Sequence, residues 1–360
     1  VRAKENSVVL RLWFQRFISL VCFILFSIMS KNLHLFGIGA AIVDIQLQIA
    51  EHEFAELGLQ KGTMNLVDAA RQSELLRRFS HYNPHWQSGG SAANTVIGFA
   101  QMGGKAALGS MLGADHLGKF YADEFRSLGI ELHAPVLEGE STGTSLIVIT
   151  PDSERTMNTA LAVNVGYGKA HVAEDAVKRA EWLYLEGFKF TEEAGVGAIE
   201  EALFYAQKHD TRVAISFSDT FVVNAFGSHL RKALLKSDLI FCNQAEAQAF
   251  AGTDDPDEAF HFLRKEAKHV AMTLGADGSR IIWEGRAYTI PPARAEPVDT
   301  TGAGDMYAAG VLYGLTHGYS PEEAGRIGSH AAARVISKMG ARLPLNEIHA
   351  AKEEALGTKR

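Results

Sequence analysis

Pro297-Val298-Asp299-Thr300-Thr301-Gly302-Ala303-Gly304-Asp305-Met306-Tyr307-Ala308-Ala309-Gly310 is the stretch on which the reading of this chain turns. An extended, Pro-containing approach leads into a turn whose side chains are too small to pack, and then into the start of a helix. Gly302, Ala303 and Gly304 leave their backbone N–H groups bare at that helix's positive end, where an anion binds without help from a side chain. Asp305 falls on the first turn, where a carboxylate is favoured and can also face whatever the amides hold. An anion cradle beside a carboxylate base is what moving a phosphoryl group onto a hydroxyl requires. Standing alone, the same residues describe an N-capping Asp after a Gly turn.

The 360 residues are 47% hydrophobic and 21% charged, with 34 Gly and 9 Pro. That balance suits one large α/β domain with embellishments. A formal net charge of -7 and the absence of a basic tract argue against nucleic acid as a partner. Cys22 and Cys242 make no disulfide framework, and Cys242 lies in the apolar run Leu239-Ile240-Phe241-Cys242, which fits a reducing cytoplasm. At the N-terminus Arg2, Lys4, Arg11 and Arg16 precede an apolar run over residues 17–29, interrupted by Ser19 and Ser27. The run falls short of the ~20 residues a span needs, so no stable membrane span is expected. Residues 1–28 read as an extension from a misplaced start, because Met29-Ser30-Lys31-Asn32 leads straight into a strand; a secretion signal is the alternative.

Residues 33–39 form a short apolar run ending in glycines, the mark of a buried parallel strand. Gly37-Ile38-Gly39 begins a dinucleotide fingerprint, but Ile42 stands where the third glycine belongs, so that reading fails. Asp44 follows at the strand's C-terminal edge, where ligands of open α/β sheets bind; it either accepts sugar hydroxyls or caps the loop. Residues 45–49 alternate apolar and polar, and similar half-exposed segments recur at 144–150 and 155–162. These pieces predict a small separate sheet, a lid, built from segments near 45–64 and 135–165. Trp86-Gln87-Ser88-Gly89-Gly90-Ser91-Ala92-Ala93-Asn94-Thr95 offers a Gly pair that lets backbone approach a ligand, with Asn94 on the first turn of a small-residue helix. Tight helix packing accounts for Ala92 and Ala93 but not for Asn94. Gly113-Ala114-Asp115-His116-Leu117-Gly118-Lys119 nearly spells a nucleotide P-loop, yet Phe120 replaces the Mg-binding hydroxyl; it is a loop entering a helix. His81 and His85 stand four apart, but Pro84 breaks the helix that would align them on zinc.

From about residue 173 helix and strand alternate, with strands at 182–185, 213–216, 238–242, 270–273 and 280–283. Such alternation means a mostly parallel sheet covered by helices on both faces. Asn243-Gln244-Ala245-Glu246 puts an amide and a carboxylate three apart at a helix start. They either manage phosphate and the water around Mg²⁺ or close a capping box. Thr273-Leu274-Gly275-Ala276-Asp277-Gly278 is either a nucleotide-binding turn or a plain hairpin into the next strand.

In this order the motifs resemble the ribokinase, or PfkB-type, family of carbohydrate and nucleoside kinases, from about residue 33 to 342. DTTGAGD at 299–305 is similar to that family's C-terminal signature, Gly89-Gly90 with Asn94 to its substrate motif, and residues 103–128 to the region of its N-terminal signature. Asn243 to Glu246 resembles its NxxE motif, and Thr273 to Gly278 its nucleotide turn. The resemblance implies a three-layer α/β sandwich over 33–345, with a mostly parallel central sheet and a small β lid, followed by a tail at 346–360. It implies an ATP-dependent kinase with Asp305 as the catalytic base and Gly302, Ala303 and Gly304 as the anion hole. Asn243, Thr273, Gly275, Gly278 and His330 would contact the nucleotide, although His330 departs from a commoner Asn. Glu246 would hold Mg²⁺ through water, and Asp299 matches a position near a monovalent cation in some relatives, which extends the expectation to K⁺. Asp44, Gly89, Gly90 and Asn94 would hold substrate hydroxyls.

Asp152-Ser153-Glu154-Arg155-Thr156-Met157 and the stretch from Ser88 to Thr95 look most like bacterial adenosine-kinase-like members. The expected acceptor is therefore the primary hydroxyl of a ribonucleoside such as adenosine. A sugar or sugar acid (ribose, fructose, 2-keto-3-deoxygluconate) is the alternative, and a non-catalytic ATP- or sugar-binding regulator is the reading from another class. Phe54 and Tyr167 are candidates to stack a base. Arg155 either reaches substrate or phosphate from the lid or is a solvated edge residue. The partner is a small molecule, and the chain is expected as a monomer or homodimer.

Overall fold

The strand Ala180–Glu186 buries Trp182 and Tyr184 on one side and Leu183 and Leu185 on the other. A strand apolar on both faces has to be covered on both. The computed structural model describes residues 31–152 and 154–357, and the extension expected at 1–28 lies outside the described residues. Its main sheet has nine strands, in the order Arg286–Ile290, Ser279–Trp283, His269–Thr273, Leu239–Asn243, Arg212–Ser216, Ala180–Glu186, Leu33–Ile38, Ala106–Gly109 and Glu131–His133. From His269–Thr273 onward in that order the strands are parallel, while Ser279–Trp283 and Arg286–Ile290 add antiparallel hairpins at one edge.

Helices Ser91–Gln101, Ala303–Thr316 and Pro321–Ile336 share a core with Trp182, Tyr184, Phe241 and Ala271. Helices Glu193–Lys208, Thr220–Leu234, Gln244–Ala251 and Pro256–Glu266 share the other with Leu183, Leu185, Ile240 and Met272. This is the three-layer α/β arrangement implied by the alternation, and every strand expected after residue 173 forms.

A smaller sheet has five strands, in the order Met64–Leu66, Arg155–Ala160, Gly143–Ile149, Ile42–Gln48 and His85–Gly89. It draws on the segments expected to build a lid and extends beyond them to Gly89. Half-exposed strands are expected there, but Gly143–Ile149 is buried along its whole length. The helix Ala69–Arg78 covers that sheet, with Leu75 and the adjoining Phe79 in its core and Gln72 Nε2 donating to Thr144 Oγ1 at 2.8 Å. Asp44 lies inside the strand Ile42–Gln48, not at the loop after the first strand. The segment 346–360, expected as a tail, contains most of the helix Leu345–Ala355, which buries Ile348, Ala351 and Ala355. Spacings of three and four put those residues on one helical stripe. Among the described residues no helix is long and apolar enough to cross a membrane.

Candidate active site

The carboxyl ends of Leu239–Asn243 and His269–Thr273 open on a cavity of about 260 Å³ that Asn243, Glu246, Thr273, Gly302, Ala303 and Gly304 help to line. A neighbouring cavity of about 240 Å³ is bordered by residues from both sheets, including Ile42, Asp44, Thr159 and Glu186. Asp305 borders both. That position follows from a local geometry only glycine tolerates. Gly302, the N-cap of Ala303–Thr316, has φ 77°, and a Cβ there would lie 2.6 Å from that of Ala341. Ala303 N–H is not bare as expected, because it closes on the Thr300 carbonyl at 3.2 Å. The remaining first-turn amides have no acceptor within the helix, and Gly304 faces open space.

Ser91 Oγ donates to Asp305 Oδ1 at 2.7 Å, and Asn94 Nδ2 donates to Oδ2 at 3.1 Å. Both donors sit on the first turn of a helix that the Gly89-Gly90 pair launches. Gly90 has φ 102°, and a Cβ on it would stand 2.1 Å from the Ala40 carbonyl oxygen; one on Gly89 would stand 2.5 Å from Asp44 Oδ2. Gly89 thus leaves room for the Asp44 carboxylate, and Gly90 for the Ala40 carbonyl. Burial pushes the Asp305 carboxyl up to about 6 against the pull of Ser91 and Asn94. Burial likewise pushes Asp44 up to about 7, with Arg342 and Arg155 opposing and the Asp305 charge adding to the rise. Asn94 Oδ1 is buried without a hydrogen-bond partner, an idle acceptor on a cavity residue.

Asn243 and Glu246 do close a capping box. Asn243 Oδ1 accepts from Glu246 N–H at 2.8 Å, and Glu246 accepts from Asn243 N–H at 2.9 Å and from its Nδ2 at 2.8 Å. The same two residues border the glycine-turn cavity, and burial pushes Glu246 up to about 7. Thr273 reaches that cavity, but Gly275 and Gly278 do not border it. They shape the hairpin instead, Gly278 at φ 87° with a Cβ position 2.2 Å from the Ile290 carbonyl oxygen. His330 borders neither cavity; its Nδ1 lies 3.7 Å from Glu354 of the helix that the sequence reads as a tail. Among the described residues no three His, Cys, Asp or Glu side chains converge as a metal site.

Arg155 is not a solvated edge residue. Its side chain is 9% exposed, ion-pairs with Asp299 and donates to Thr301 Oγ1 at 3.1 Å. Asp299 also accepts from Gly340 N–H at 2.7 Å and Thr301 N–H at 3.0 Å, so three donors hold its carboxylate, one of them a guanidinium. Arg155 Nε and Nη2 are buried with no partner.

Phe54 and Tyr167 are core residues and border neither cavity. Leu66, Met157, Phe188 and Phe221 line the same cavity as Asp44, and of these only Met157, at the end of the 152–157 stretch, falls in a segment the sequence singles out. Glu186, also missed, accepts from Ala40 N–H at 2.9 Å and Ala92 N–H at 2.8 Å, and burial pushes it up to about 7. A carboxylate at the C-terminal end of a buried strand was the available clue.

A family model described as pfkB family carbohydrate kinase matches residues 64–348 of this chain. The chain is 28% identical over 262 residues to ribokinase from Haemophilus influenzae, an alignment covering 70% of this chain and 82% of that one. Among solved structures, a probable sugar kinase from Rhizobium etli superposes with a TM-score of 0.82 at 33% identity. Adenosine kinase from Sinorhizobium meliloti superposes with 0.81 at 35% identity, and each superposition covers 90% of this chain and 99% of the other.

Proposed function

This chain belongs to the pfkB family of carbohydrate kinases, and we propose that it transfers the γ-phosphoryl group of ATP to the primary hydroxyl of a neutral ribonucleoside such as adenosine. Membership makes it a phosphotransferase acting on a hydroxyl of a sugar or nucleoside, with ATP as co-substrate. The observation that carries the acceptor is the composition of the cavity around Asp44. Leu66 and Phe221 border it while 60% and 55% exposed, alongside Met157 and Phe188. Apolar side chains left open at a cavity wall match a flat heteroaromatic ring, and a free sugar would leave them in water. Asp44, Glu186, Glu192 and Asp305 outnumber the single Lys189 on that wall, which opposes a sugar acid's carboxylate.

In this reading the acceptor's other hydroxyls donate to Asp44 and to the idle Asn94 Oδ1, and Asp305 takes the proton of the attacking hydroxyl. Phosphoryl transfer is loose and needs little base strength, so charge stabilisation does most of the work. Gly304, with Gly302 beside it, supplies it through backbone amides that line the glycine-turn cavity. The smaller sheet acts as the lid that keeps water from competing for the phosphoryl group. A single buried carboxylate beside an anion cradle suits Mg²⁺, which keeps several waters; Glu246, steadied by Asn243, would hold it through water, and the ion would offset phosphate charge. Thr273 is assigned to the nucleotide, whereas Gly275 and Gly278 serve the hairpin and His330 the C-terminal helix. Asp299 is assigned no K⁺, because Arg155 already supplies its counter-charge. A free buried Cys242 and a need for ATP fit the cytoplasm.

The test is ADP release with Mg-ATP against adenosine, other nucleosides, ribose, fructose and 2-keto-3-deoxygluconate. Turnover on adenosine is the expected result. Turnover on a sugar alone would keep the family and overturn the acceptor. Silence across the panel with ATP still bound would point to a regulator.

A further inference from the structure

Lys189, Thr191 and Glu192 border the acceptor cavity but not the glycine-turn cavity, whereas Asp305, Ser91 and Phe188 border both. The trio therefore sits away from the reacting hydroxyl. Glu192 is the N-cap residue of Glu193–Lys208, yet its carboxylate makes no capping bond. It turns instead to its neighbours: Oε2 accepts from Lys189 Nζ at 2.5 Å, and Oε1 lies 3.0 Å from Thr191 Oγ1, whose one proton is shared with the Phe188 carbonyl at 2.8 Å. The Lys189 side chain is 2% exposed and also donates to the Asn164 carbonyl at 3.1 Å, so it is anchored to the protein on both sides.

A carboxylate offers about four lone-pair sites, so each Glu192 oxygen keeps capacity for one more donor. Its side chain is 13% exposed, enough to touch a ligand. Lys189 compensates its charge, which removes any demand for a cationic ligand and leaves an acceptor for a neutral N–H. Resting on the ribonucleoside reading above, we propose that Glu192 is a specificity-determining residue that accepts a hydrogen bond from the exocyclic amine of an aminopurine. Lys189 is the positioning residue that aims it. Apolar walls bind any purine ring about equally well. A half-buried acceptor discriminates, because a ring without the amine leaves it unpaired.

The experiment compares kcat/KM for adenosine and for purine riboside, the same nucleoside without the amine, in wild type, Glu192→Ala and Glu192→Gln, with ribose as a further acceptor. Wild type is expected to favour adenosine. Glu192→Ala should lower kcat/KM for adenosine by about 10- to 100-fold, mostly through KM, with a far smaller change for purine riboside. The ratio between them should approach one. Glu192→Gln keeps one acceptor oxygen and should retain part of the preference; it decides the matter if the alanine variant fails to fold. A parallel fall for both nucleosides, or a preference that survives in the variants, overturns the assignment of Glu192 alone. Wild type that phosphorylates ribose and no nucleoside overturns the parent reading, and this inference with it, before any variant is made.

Discussion

Arg155, the first residue of the strand Arg155–Ala160, ion-pairs with Asp299, which stands three residues ahead of the Gly302 turn. The pair joins the smaller sheet to the loop that opens the Ala303–Thr316 helix, and Gly340 N–H donates to the same Asp299 oxygen at 2.7 Å. Arg155 Nη1 alone donates to both Asp299 and Thr301, which leaves Nε and Nη2 over.

Removing one partner of a buried pair leaves the other charge uncompensated, at a cost of about 3–5 kcal/mol. Arg155→Ala should therefore lower the melting temperature, and turnover should fall with it, because Asp299 and Thr301 stand beside the Gly302 turn. Arg155→Lys keeps the charge beside Asp299 and should recover stability and turnover together. Turnover that stays low at wild-type stability would give Arg155 a direct part in the reaction.

A carboxylate already neutralised by Arg155 has no use for a monovalent cation. Steady-state rates measured in K⁺-free buffer should equal those with K⁺ added. Strong K⁺ activation would mean that Arg155 leaves Asp299 in the working enzyme.

Asp305→Asn should reduce turnover by about 10²–10⁴-fold while ATP binding, followed by calorimetry, persists. Stability should not suffer. The folded carboxyl is raised to about 6, so the stability it contributes is lost as pH rises through that value, and the amide carries no charge to bury. Near-normal turnover in the variant would remove Asp305 from the base role.

Protonation of Asp44 or Asp305 should impair the unliganded enzyme. They stand at about 7 and about 6, as a coupled pair whose apparent values belong to both. kcat/KM should therefore decline as pH falls through 7 and more steeply below 6, whereas ordinary carboxylates at about 4 would leave it flat over that range. Asp44→Ala should remove the upper limb and raise the acceptor KM by about 10- to 100-fold, in line with a lost charge-assisted hydrogen bond. An unchanged acceptor KM would return Asp44 to structure.

Gly90→Ala tests the launch of the Ser91–Gln101 helix. A Cβ 2.1 Å from the Ala40 carbonyl oxygen, at φ 102°, forces backbone to move. We expect a loss of roughly 2–4 kcal/mol in denaturant unfolding, together with activity, since Ser91 and Asn94 shift with the helix. Wild-type stability would contradict the packing described here.

Local pattern was enough for six of the main sheet's nine strands, and missed Ala106–Gly109, Glu131–His133 and Arg286–Ile290. Runs such as Leu239-Ile240-Phe241-Cys242 are apolar on both faces, and only a parallel sheet between helix layers buries them so. Pattern was less informative for the smaller sheet: the alternation at 45–49 holds, with Ile45 and Leu47 buried and Gln48 exposed, but Gly143–Ile149 is buried throughout. The helix Ala69–Arg78 covers that sheet, and its charged composition hides the stripe of Gln72 and Leu75 that does it. The helix Leu345–Ala355 escaped notice likewise, since alanines at 351 and 355 bury little surface and mark a weak face.

By itself the sequence determined where most of the main sheet's apolar strands lie along the chain and the turns at Gly89-Gly90 and Gly302, because periodicity and glycine's access to positive φ are properties of neighbouring residues. Tertiary structure alone decided which side chains meet. Ser91 reaches Asp305 across 214 positions, and Arg155 reaches Asp299 across 144. Leu66, Phe221 and Glu192 join a single cavity only once two sheets have packed. Such meetings leave no spacing to read, since they depend on how helices and sheets stack and not on any repeat along the chain.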